Sequence, residues 1–114
     1  MITRHLLPCF LLLAATSTAL AGTPQTVLGL GTHSCGTWTA NHSKDNEEAY
    51  AEDQWVLGFL SARNGPDNSD FLKTMDAPGI LAAMSKYCGS YPLEAIFEAA
   101  AGLSVELKRR MKSN

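Results

Sequence analysis

The chain has 114 residues, of which 46% are hydrophobic, with nine basic and eleven acidic side chains and a formal net charge of −2. That length suits a single domain, and the mildly acidic balance argues against nucleic-acid binding, which draws on a basic face.

Met1-Ile2-Thr3-Arg4-His5 is a short positive start, Leu6 to Leu20 is apolar, and Ala19-Leu20-Ala21 offers a small-x-small cleavage site. Together these have the form of a secretory signal, and the apolar run is shorter than the roughly 18 to 20 residues a spanning helix needs. The mature chain is therefore expected to start at Gly22; removing 21 of 114 residues leaves 93. Cys9 follows Pro8 within the apolar run and is expected to leave with the signal. Loss of Arg4 leaves eight basic against eleven acidic residues, a net charge of −3. The expected location is periplasmic or secreted, with no membrane contact after cleavage.

Cys35 and Cys88 then remain as an even pair bound for an oxidising compartment, the setting in which cysteines pair as a disulfide. Closing a loop of that length is worth roughly 4 kcal/mol on chain-entropy grounds. A free catalytic Cys35 with His33 or His42 as base would need a thiol kept reduced during export.

Residues 22–44, rich in Gly and Thr and without sustained periodicity, read as an extended lead-in pinned by Cys35, and residues 45–114 as the helical domain. Gly29-Leu30-Gly31 lacks the strand, third glycine and helix of a phosphate loop. The first helix is expected to start at Asp45 as cap, with Glu48 reaching back. Ala51, Trp55, Phe59 and Ala62 share one of its faces, and Gly58 falls beside Trp55 and Phe59, where close approach by another helix would explain it. Asn64-Gly65-Pro66 ends this element. Phe71 and Leu72 are candidate anchors in the polar connector that follows.

Asp76 caps a second helix with Pro78 in its first turn. Ile80, Ala83, Met84 and Tyr87 form its stripe, Cys88 lies at its edge, and Gly89 is expected to stop it. Ser90 reads as the cap of a third helix with Pro92 just inside. Leu93, Ile96, Phe97, Ala100, Leu103, Leu107 and Met111 make the clearest stripe in the chain. Lys108-Arg109-Arg110 and Lys112 sit in its last turns, where cations offset the helix dipole. The predicted fold is all-α: a three-to-four-helix bundle with an extended N-terminal lead-in, stapled by one disulfide. Its core is expected around Trp55, Gly58, Phe59, Tyr87, Leu93 and Phe97.

No catalytic motif stands out, and the expectation is a non-enzymatic protein with neither metal nor cofactor. His33, Cys35 and His42 match no zinc spacing once Cys35 is paired. Asp45, Glu47, Glu48, Glu52 and Asp53 lack a calcium-loop glycine and read as a solvated helix start. Asn41-His42-Ser43 matches a glycosylation acceptor, which has meaning only in a eukaryotic host.

Cys35, Trp55-Val-Leu-Gly58-Phe59, Asn64, Asp76, Tyr87-Cys88 and Pro92-Leu93 together resemble a group of small exported bacterial proteins. In size, helical make-up and disulfide that group is similar to the Rap/Tai immunity proteins of type VI secretion and, more distantly, to the HdeA acid-stress chaperones. The resemblance implies a helical protein whose partner is another protein, with an immunity-type inhibitor of a secreted toxin as the leading function. An acid-stress periplasmic chaperone is the alternative.

Overall fold

The computed structural model describes residues 25–66 and 68–114; the expected signal, Cys9 and the Gly22 start lie outside them. A 3-10 turn at Gly29–Thr32 precedes four helices: α1 (Cys35–Lys44), α2 (Glu47–Arg63), α3 (Ala77–Ser90) and α4 (Ile96–Ser113). Among the described residues no strand forms, and Cys35 and Cys88 are joined by a disulfide that ties the start of α1 to the end of α3. The fold is an all-α bundle with one disulfide.

The lead-in is shorter than its composition suggests. Only residues 25–28 precede the 3-10 turn without regular structure, and Cys35–Lys44 is helical. Gly36, Thr37, Thr39 and Asn41 are poor helix formers, which hid this element. What holds it is local capping and long-range bonding. Ser34 Oγ accepts from the Thr37 amide at 3.1 Å, and the first free amides, those of Cys35 and Gly36, donate to the Glu94 and Pro92 carbonyls at 2.7 and 2.8 Å. These are donors that a helix start leaves unpaired.

Asp45 does not cap α2. It ends α1 in the left-handed region with φ 50°, and Asn46 takes the cap one residue on, its side chain accepting from the Ala49 amide at 3.0 Å. The face of α2 that packs inward is Ala49, Glu52, Val56 and Leu60, at spacings of three, four and four. Trp55 and Phe59, the expected centre, are half-buried and lie stacked on each other at the edge of the core.

Gly58 is exposed, and a Cβ there would meet nothing within 4 Å, so no helix approaches it closely. The glycine that a close approach does require is Gly31. A Cβ there would lie 2.1 Å from the Trp55 ring, which covers the 3-10 turn while its Nε1 donates to the Leu28 carbonyl at 3.1 Å. Past α2, Gly65 adopts φ 95° as expected of a helix stop, and Phe71 is buried as an anchor.

Asp76 caps α3, accepting from the Gly79 amide at 2.8 Å. The helix continues through Gly89 to Ser90, so Ser90 is its last residue and not the cap of the next. α4 opens only at Ile96, with Glu98 accepting from the Ala95 amide at 2.9 Å. Residues 91–95 are spent instead on a turn that receives the first amides of α1.

The buried residues of α4 are Ile96, Ala99, Ala100, Ser104 and Leu107, of which Ile96, Ala100 and Leu107 belong to the expected stripe. Phe97 is half-buried and Leu93 lies outside the helix, so neither forms the core as expected. Tyr87 packs on the core from its rim. Trp38 on α1 is fully buried and belongs to the core cluster with Val56, Leu60, Ile80, Met84 and Ile96. Near the end of α4, Arg109 and Arg110 both bond Glu106 and hold its carboxyl down at about 2.

Candidate functional site

Two constellations rise above packing. The first is polar and internal. Glu52 was expected in a solvated helix start, yet it stands on the inward stripe of α2 between Ala49 and Val56 and is 0% exposed. A buried carboxylate is costly unless bonded or paired. Its Oε1 is 3.2 Å from His33 Nδ1 and accepts from Asn41 Nδ2 at 3.0 Å. Its Oε2 makes no hydrogen bond and lies 3.8 Å from His42 Nδ1.

His42 Nδ1 is 2.8 Å from the Trp38 carbonyl and its Nε2 is 2.7 Å from Asp53 Oδ1, while its ring stacks on Trp38 with centroids 4.0 Å apart. The bend before α1, α1 itself and α2 thus meet at one cluster. Both ring nitrogens of His42 face oxygens, and Cys35 is held in its disulfide. Asn41, the residue of the glycosylation match, is engaged with Glu52. Among the described residues no set of three or more His, Cys, Asp and Glu side chains is placed to hold a metal ion.

The second constellation is the turn between α3 and α4. Its main chain is fixed from three sides: by the Cys35 and Gly36 amides, by the Ile96 amide donating to the His33 carbonyl at 2.9 Å, and by the Tyr91 amide donating to the Tyr87 carbonyl at 3.0 Å. The Tyr87 hydroxyl donates to Glu94 Oε2. On this fixed frame Leu93 is 96% exposed and Tyr91 52% exposed. Tyr91 packs against Tyr87 with centroids 4.7 Å apart, over an open hollow shared with Ala83, Lys86 and Ser90.

The bond to Glu94, aided by burial, pushes the Tyr87 phenol up to about 12. The folded state therefore keeps this proton between about pH 10, the ordinary tyrosine value, and about pH 12, where the unfolded chain has lost it. The contact's contribution to stability is complete below pH 10 and disappears as the pH rises to about 12. Ultraviolet titration of phenolate formation should show a late step for one of the three tyrosines. Tyr87→Phe should abolish that step; its persistence in the variant would assign it elsewhere.

Sequence reasoning singled out Leu93 and Tyr87 but as core, and His33 and His42 only as partners of Cys35. Trp38, the engagement of Asn41 with Glu52 and the burial of Glu52 escaped it. The available signal was the spacing Ala49, Glu52, Val56, Leu60, which puts the carboxylate on an apolar line. No protein-family model, curated protein or solved structure matches the chain. No helix among the described residues is long and apolar enough to cross a membrane.

Proposed function

We propose that this chain is a non-enzymatic binding protein of the periplasm or the secreted space, an inhibitor of the immunity kind that blocks a toxic protein partner. The observation that supports it is the turn at 91–95: a main chain held by the N-terminus of α1 presents Leu93 and Tyr91 to solvent. A large apolar side chain on a rigid frame loses little conformational freedom on docking, which favours tight association. The resemblance to Rap/Tai proteins points the same way.

The test is calorimetry at neutral pH against each candidate toxic protein that the genes neighbouring this one are found to encode. The expected result is a defined stoichiometry, with Leu93→Asp weakening binding at least tenfold while the melting temperature is unchanged, since Leu93 touches solvent and not the core. Unaltered binding by Leu93→Asp would remove this surface from the proposal.

A second reading, an acid-stress chaperone resembling HdeA, draws support from Glu52, a carboxyl group fully buried at the α1–α2 interface. It requires aggregation of unrelated proteins to be suppressed only in acid, with no partner captured at neutral pH.

A further inference from the structure

His42 sits between acceptors on both sides. The Trp38 carbonyl faces its Nδ1 at 2.8 Å and Asp53 Oδ1 faces its Nε2 at 2.7 Å. A carbonyl and a carboxylate only accept, so the ring makes both bonds only when both nitrogens carry hydrogen. The surroundings suit the cation so defined: Glu52 Oε2 lies 3.8 Å from Nδ1, and the Trp38 ring is stacked at 20° to the imidazole plane.

We propose that His42 is a proton-operated clasp between α1 and α2, closed while its ring is an imidazolium and slackened when that proton leaves. The groups around it come from each packed element. α2 supplies Glu52 and Asp53, the bend before α1 supplies His33, and α1 supplies Asn41. α3 reaches the cluster through the Ser85 hydroxyl, which accepts from Trp38 Nε1 at 3.1 Å, and α4 through the Ile96 amide bonded to the His33 carbonyl.

Loss of the proton leaves one ring nitrogen facing an oxygen with nothing between them, and leaves Glu52 and Asp53 without the cation they share. The disulfide keeps the start of α1 on α3, so the joint loosens at the far end of α1, from Asn41 to Lys44. The two bonds exist only in the folded state and need both ring nitrogens to carry hydrogen, so the joint between α1 and α2 is tied to that proton. The clasp holds whether or not the turn at 91–95 meets a partner.

The experiment uses the purified, disulfide-bonded protein. Nitrogen-15 spectra of the imidazole rings at about pH 6 should show His42 with both nitrogens protonated. The melting midpoint should be roughly 5 °C lower at about pH 8.5 than at about pH 6, and Trp38 emission should rise over the same range as its charged neighbour becomes neutral. His42→Gln should remove more than half of that drop, and so should Asp53→Asn, which keeps an acceptor oxygen but not the charge. A single-tautomer neutral ring at about pH 6 overturns the clasp, even where a variant fails to fold, and so does an undiminished pH drop in His42→Gln.

Discussion

Replacing both cysteines, as Cys35→Ser with Cys88→Ser, should lower the melting midpoint by roughly 15 to 30 °C. The bridge joins positions 53 residues apart, and releasing a loop of that length returns about 4 kcal/mol of freedom to the unfolded chain. In a domain near this size each kcal/mol moves the midpoint by about 4 to 8 °C. The position of the bridge adds to this. α1 has ten residues, too few to persist alone in water, and its weak helix formers lower its helicity further. The bridge holds its first turn against α3, where the Cys35 and Gly36 amides find their carbonyls. Thermal melts followed by circular dichroism, with and without reductant under denaturing pretreatment, measure the effect. A double variant melting within a few degrees of the native protein would mean that packing alone holds α1.

The disulfide was legible because it rests on compartment and count, which do not depend on packing. The caps were legible where side-chain chemistry alone decides them, as at Asp76. At Asp45 and Asn46 two capable residues stand side by side, and the choice fell to Asn46 because Asp45 was needed to end α1. α4 shows the limit of periodicity. The stripe from Leu93 onward continues the helical pattern backwards into residues that the fold uses as a turn, because the amides of α1 claim the Pro92 and Glu94 carbonyls. That demand arises some 57 residues earlier in the chain, so no local pattern could report it.

The Glu52 cluster was hidden for a related reason. A glutamate among other acidic residues at a helix start reads as solvated. Only the arrival of α1, with Asn41 and His42 on the facing side, makes burial tolerable. A chain read as extended over 22–44 has no facing side.

Trp38→Ala should therefore be the most damaging single side-chain truncation. Trp38 is fully buried in the cluster to which all four described helices contribute, whereas Trp55 and Phe59, which the sequence placed in the core, are half-buried and pack against it. Truncating a buried aromatic to alanine typically costs about 3 to 5 kcal/mol through lost transfer energy and the cavity left behind. Here the change also removes the Nε1 bond to Ser85 and the ring on which His42 stacks. Losing the Ser85 bond adds little, since Ser85 is exposed and water can replace the indole. The cavity dominates, and the melting midpoint should fall by roughly 15 °C or more. Trp38→Phe keeps most of the volume and should lose less than half as much, while Trp55→Ala should fall between the two. Melts of the three variants decide the order. If Trp55→Ala proved the worst of them, the core would centre on α2 and the 3-10 turn, and α1 would lie outside it.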